Sequence, residues 1–266
     1  MPVKRWMILL SFFSVAVQAQ AVKAPARRIV TLGSEQPFMQ GRNVAMAGPW
    51  SRWVDPSIKD FSNSIRIDTG SWPRDTFIQW RFPAKVASTG VYGYNYLAFG
   101  QYWDLKPPVT VPPKSFRAIK TLKFHTAIER AGDASGFNIL AEYFVTKKPG
   151  DIGSRTAEVG WLLHMPDLSA KYFRMGKQVG SFRDSAGRDW IVASHRDGAA
   201  GHYIMIAPRS GDADLSAPID ALAAMRWLAA RGEIGLDGYF NGMAVGIEPL
   251  KGSGSATIRR FDVFYN

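Results

Sequence analysis

The chain has 266 residues, 46% of them hydrophobic and 21% charged, which supplies a sizeable core and excludes wholesale disorder. It contains no cysteine, which excludes disulfides, cysteine zinc sites and cysteine nucleophiles. The formal charge is +11, yet the cations are scattered, with Arg27-Arg28, Lys147-Lys148 and Arg259-Arg260 the adjacent pairs beyond Lys4-Arg5. No basic helix or nucleic-acid motif accompanies them, so no nucleic-acid partner is expected, while an anionic substrate or envelope remains open.

Residues 1–21 open with Lys4 and Arg5, continue with an apolar run from Trp6 to Val17, and end on Ala19 and Ala21. That order is the pattern of a secretory signal peptide. The run of about 12 residues falls short of the ~20 a bilayer span requires. The expectation is a cleaved leader, a single domain over 22–266, a periplasmic or extracellular location and no stable membrane insertion. A monomer is expected.

Beyond the leader the chain alternates with period two, the signature of half-buried strands. Alternating segments are 75–82, 116–128, 136–146, 156–163, 240–248 and 257–265, with shorter runs at 189–193 and 202–207. Turn signals at Pro149-Gly150, Ala186-Gly187 and Asp197-Gly198 separate them. Segment 104–114 carries four prolines and reads as a loop. Helical spacing appears over Pro218–Arg231, with Ser216 as the expected N-cap and Gly232 as the C-cap. Many short strands and one late helix predict an all-β jelly-roll sandwich of two antiparallel sheets with the helix packed outside.

Three of these strands carry a glutamate on the face opposite their apolar residues. On 240–248 that face reads Gly242, Ala244, Gly246, Glu248; on 156–163 it reads Thr156, Glu158, Gly160; on 136–146 it reads Asn138, Leu140, Glu142, Phe144. Ordinary solvent-facing glutamates would give the same pattern one at a time. Three on one side of one sheet, with small neighbours leaving room, suit a cleft. Paired carboxyls are what glycoside hydrolysis uses, one to protonate the leaving oxygen and one to attack or to activate water.

Gly246-Ile247-Glu248-Pro249-Leu250-Lys251-Gly252 resembles the late acid/base strand G-x-E-P-F-x-G of glycoside hydrolase family 12, a family of jelly-roll endo-β-1,4-glucanases and xyloglucanases. Ala157-Glu158-Val159-Gly160-Trp161 resembles its nucleophile strand E-[IV]-M-[IV]-W, and Asn138 to Phe144 its N-V-A-Y-D-[IL]-W strand. The resemblance covers roughly 75–266 and is best in the last half. It implies Glu158 as nucleophile, Glu248 as acid/base and Glu142 in place of a helper Asp, acting by retention on a β-glucan-type polysaccharide without a cofactor or metal. It further implies a sugar-binding role for Asn138 and Tyr94, and an N-terminal platform for which Trp50 is the best candidate. Departures are Gly160 for Met, Leu162 at the family's Trp, and Glu142 for Asp.

A sugar groove also needs flat rings, and Trp50, Trp53, Trp72 and Trp103 stand in loop-like or strand-end contexts, whereas Trp80 and Trp161 fall on core faces. The histidines, His125, His164, His195 and His202, lack metal-ligand spacing. Two alternatives are a non-catalytic glycan binder on the same scaffold and, lower, a lyase of alginate-lyase type. Tyr172-Phe173-Arg174-Met175-Gly176 resembles the lyase strand Y-F-K-A-G, although the lyase's R-x-E-L-R and Q-I-H motifs are absent.

Overall fold

The computed structural model describes residues 27–49, 57–104, 111–198 and 201–266. Residues 1–26, Trp50, Trp53 and most of the proline-rich segment lie outside them. The chain runs through β1 (Ile29–Leu32), β2 (Phe38–Gln40), β3 (Asn43–Gly48), β4 (Ser62–Asp68), β5 (Thr76–Arg81) and β6 (Tyr94–Gly100). Then come β7 (Lys114–Ser115), β8 (Leu122–Gly132), β9 (Phe137–Thr146), β10 (Arg155–His164) and a helix α1 (Asp167–Met175). The last part holds β11 (Lys177–Arg183), β12 (Asp189–Gly198), β13 (Gly201–Pro208), β14 (Ile219–Asp220), α2 (Ala221–Ala229), β15 (Tyr239–Phe240), β16 (Gly242–Pro249) and β17 (Ser253–Tyr265).

Two sheets form. The outer one has the order β1-β4-β5-β17-β8-β14; the inner one runs β11-β12-β13-β10-β9-β16-β6-β3-β2, with β15 and β7 at its margin. Outer strands alternate buried and exposed residues, as on β5, because one face meets the core and the other meets water. The inner strands β6, β9 and β16 are buried on both faces. Between the sheets lie Leu97, Tyr143, Val159, Trp161 and Ile247 from the inner sheet and Ile65, Ile78, Trp80, Phe124 and Ile258 from the outer one. Trp161 meets Trp190 edge-on at 5.0 Å, and Trp80 meets Phe137 at 5.1 Å. Each such pair contributes about 0.5–1.5 kcal/mol beyond the area it buries. Trp80 and Trp161 are thus core, as their strand parity predicts.

The far face of the inner sheet carries a second apolar cluster, including Tyr94, Tyr96, Tyr102, Leu140, Phe144 and Phe173. All three glutamates project to that face, by the two-residue period of their strands.

The helices differ from expectation in two ways. α2 begins later than predicted because Ile219-Asp220 pair with Phe124 and Lys123 of β8. Asp220, not Ser216, caps it, accepting from the Ala223 N–H at 2.9 Å. Its end is capped at Ala230, ahead of Gly232. The second difference is α1, which the sequence reading lacks. Pro166 stands at its N-cap, and Asp167 in its first turn and Arg174 in its last are both favourable to the helix dipole. Tyr172 to Met175 are therefore helical, and their likeness to a lyase strand has no structural counterpart. Segment 116–128 also splits: Phe116 is buried in a turn, and the strand starts at Leu122.

Candidate functional site

Strand β9 runs between the two others that carry glutamates. Gly160 of β10 pairs with Glu142, and Glu158 pairs with Phe144. On the opposite edge, Ala244 of β16 pairs with Glu142, and Glu248 pairs with Asn138. Glu158 and Glu248 therefore flank the Asn138–Leu140–Glu142–Phe144 row of β9 from opposite sides, on one face of the sheet. Both line a cleft of about 520 Å³, together with Asn138, Leu162, Tyr203 and Met205 on its floor. One wall is α1; the other is the 86–91 loop and Leu250. That loop is tied to the end of β16 by Ala87 N–H donating to Leu250 O at 3.1 Å and Tyr92 N–H to Pro249 O at 2.7 Å.

The carboxyls differ in their surroundings. Glu248 is buried, and burial pushes its carboxyl up to about 7, against the opposing effect of Asn138, whose Nδ2 donates to Oε2 at 3.0 Å. Glu142 is 1% exposed and lies outside the cleft lining, covered by Tyr102, whose hydroxyl donates to its Oε1. Burial, and then the charges of Glu158 and Glu248, hold the Glu142 carboxyl well above the ordinary range. Glu142 and Glu158 share a hydrogen bond that raises the first and lowers the second. Two carboxyl groups in contact need one proton between them, and burial raises both. Glu158 is raised by burial too, but the Glu142 bond and the charge of Arg155 pull it back. The arrangement is a coupled Glu142–Glu158 pair beside a second buried acid, Glu248, pushed up to about 7. Among the described residues neither Glu158 nor Glu248 is in an ion pair within 4 Å.

The small residues turn out to be small for other reasons than leaving room. A Cβ on Gly246 would meet Asn95 O at 2.0 Å, so that glycine serves the close approach of β6. A Cβ on Gly160 would meet the Tyr203 hydroxyl at 2.7 Å and Leu140 Cδ1 at 3.0 Å. Tyr203 comes from β13, which pairs in parallel with β10 so that Tyr203 sits opposite Glu158. Its ring fills the space that a longer side chain at 160 would take. Burial raises its hydroxyl well above the ordinary value, and the charges of Glu248, Glu158 and Glu142 add to this.

The predicted sugar-contacting residues scatter. Asn138 lines the cleft, but its amide N–H is engaged by Glu248. Tyr94 is wholly buried, its hydroxyl donating to Leu140 O at 2.9 Å, and it presents no ring face to the cleft. Trp103 is half-buried against Tyr102 and Phe144, centroids 6.5 and 6.1 Å away, and is also absent from the cleft lining. Both corrections have one cause: the ring stack of Tyr102 on Phe144, 5.3 Å apart, covers the β6 side of this face. Trp72 packs edge-on against Phe38 at 5.0 Å and donates to Gln40 O at 3.2 Å. Trp50 lies outside the described residues.

Tyr102 and Tyr203 went unremarked in the sequence because their partners are 40 and 45 positions away. The α1 wall had a local signal, Pro166-Asp167 followed by Leu168, Tyr172 and Met175 at helical spacing. Among the described residues no group of three or more His, Cys, Asp or Glu is placed to hold a metal ion, and no helix is long and apolar enough to cross a membrane. His164 instead bridges Asp212 at 2.6 Å and Ala134 O at 2.8 Å.

By sequence the chain matches no family model and no curated protein. Its structure is similar to several solved ones. A family 12 xyloglucanase from Bacillus licheniformis is 14% identical, with 89% of this chain and 100% of that one covered at a TM-score of 0.71. Endoglucanase 3 from Trichoderma harzianum, also of family 12, is 14% identical over 90% of this chain and 98% of that one, at 0.72. An endoglucanase from Rhodothermus marinus is 15% identical over 89% and 99%, at 0.68. The chain thus has the two-sheet β-jelly-roll fold of the family 12 glycoside hydrolases.

Proposed function

We propose that the protein is a retaining endo-β-glycosidase acting on a β-1,4-glucan-type polysaccharide, exported by residues 1–21 to the periplasm or beyond. The observation that carries this reading is the pair of glutamates from non-adjacent strands opening on one cleft, each with a different proton environment. Glu158 is the nucleophile. It attacks the anomeric carbon while Glu248, protonated, donates to the departing oxygen, giving a covalent glycosyl-enzyme. Glu248 then takes a proton from water, which releases the sugar with its original configuration. Glu142 keeps its own proton and donates it in the hydrogen bond to Glu158, holding that side chain in position and stabilising its charge. Retention asks for carboxyl groups about 5–5.5 Å apart. The fold of the structural neighbours and the motif resemblance at Glu158 and Glu248 support the same chemistry.

The test is a panel of carboxymethyl cellulose, mixed-linkage glucan and xyloglucan, scored for new reducing ends with unmutated protein, Glu158→Gln and Glu248→Gln. Release by the unmutated protein alone, with β-configured product in an early proton NMR spectrum, is expected. α-Configured product would replace retention by inversion. Binding without reducing ends would assign the protein as a glycan binder, and unsaturated products absorbing in the ultraviolet would assign a lyase.

A further inference from the structure

The cleft wall formed by α1 carries an apolar stripe of its own. Leu168, Tyr172 and Met175 follow at spacings of four and three, so they share one face of the helix. All three line the cleft that holds Glu158 and Glu248, and all three are exposed, Tyr172 by 42%. The opposite face of α1 is used for anchoring: Phe173 is buried in the cluster over the inner sheet. Large apolar side chains left open on a protein's own cleft wall mark a contact surface for whatever enters the cleft.

Tyr172 is also held in a fixed plane. The imidazole of His195 lies parallel to it, centroids 4.1 Å apart and 5° between planes. His195 is itself buried, and a Cβ on Gly176 would meet its Nε2 at 2.6 Å. The end of α1 can lie this close to β12 only because residue 176 is glycine. Gln178 Nε2 binds Gly176 O at 3.1 Å and Phe173 O at 3.3 Å, which ties the helix end down a second time. A ring backed on one face by a rigid, buried neighbour gives up little further freedom when something stacks on the other.

We propose that Tyr172, backed by His195, is a stacking platform for a pyranose ring of the substrate, with Leu168 and Met175 as its apolar flanks. This rests on the glycan cleft proposed above and adds a wall subsite to it. The occupant is a sugar because the stripe is continuous with the cleft of the two glutamates, and because the C–H face of a β-linked pyranose is flat, apolar and the size of a phenol ring.

Binding of cellotetraose and of xyloglucan heptasaccharide is measured by calorimetry on the Glu158→Gln protein, which holds glycan without turning it over. Tyr172→Ala, Tyr172→Leu and Tyr172→Phe are added to it in turn, with thermal unfolding to verify the fold. Stacking predicts about 3- to 10-fold weaker binding for Ala and for Leu, which is apolar but not flat, and recovery of most of the loss with Phe. Equal affinity for Leu and Tyr, or no change with Ala, overturns the platform while leaving the hydrolase reading intact. Failure of the parent to bind either glycan also overturns the platform, and reducing-end release by the unmutated enzyme then decides the hydrolase reading separately.

Discussion

Asn138→Leu separates the proton affinity of Glu248 from the rest of the site. Asn138 is buried, opposes Glu248 in the ladder, and spends one amide N–H on Oε2 at 3.0 Å. That bond favours the ionised carboxylate, so it holds the acid below where burial alone would put it. Leucine has nearly the same shape and no donor. A hydrogen bond to a charged group contributes about 1.5–3 kcal/mol, and one pKa unit corresponds to about 1.4 kcal/mol. Removing the bond therefore raises the Glu248 midpoint from about 7 by about one unit or somewhat more. If Glu248 must be protonated to act, the alkaline limb of kcat/KM moves up by the same amount. Carbon-13 NMR of labelled glutamate side chains reads the midpoint whether or not a substrate is in hand. An unchanged or lowered midpoint in the variant would refute the reasoning about Asn138, and a shifted midpoint with an unshifted alkaline limb would remove Glu248 from the acid role.

Other perturbations have equally definite outcomes. Burial pushes Glu248 up to about 7 from its ordinary 4.5, so the folded state binds the extra proton between those values and its contribution to stability is lost as pH rises through 7. Glu248→Gln should therefore gain stability relative to the parent between pH 4 and pH 8, by on the order of 3 kcal/mol, in denaturant titrations at the two ends. Gly160→Ala places a methyl 2.7 Å from the Tyr203 hydroxyl and 3.0 Å from Leu140, costing about 1–3 kcal/mol as overpacking. Adding Tyr203→Phe should recover part of that cost in a double-mutant cycle, and strict additivity would disprove the contact. Tyr102→Phe strips buried Glu142 of its phenol donor and should cost about 1–3 kcal/mol. Tyr96→Phe, whose hydroxyl meets Met46 Sδ at 3.9 Å, should cost less in the same denaturation assay.

What could be read from the sequence follows from what is periodic in it. Strand parity puts Glu142, Glu158 and Glu248 opposite the apolar faces of their strands and Trp80 and Trp161 on the apolar faces of theirs, because a two-residue repeat carries sidedness without knowledge of partners. It could not reveal which side chains cover that face. The motif around Tyr94 points to a sugar contact, yet Tyr102 and Phe144 close over its neighbourhood. The short helix α1 is hard to read because its nine residues are fewer than the roughly 11–18 over which helical spacing becomes distinct. The α2 boundary moved for a tertiary reason: residues 219–220 found a strand edge to join before the helix could claim them.

The division of labour around the cleft has one further bearing. Its floor is woven from four strands that the whole sandwich holds in place, whereas one wall is a single connector between β10 and β11. On the proposed hydrolase reading, swapping that connector for another of different length or chemistry would change which chains are admitted without disturbing Glu158 and Glu248. On that reading selectivity and reactivity reside on separable pieces, and the first can drift between descendants while the second is kept.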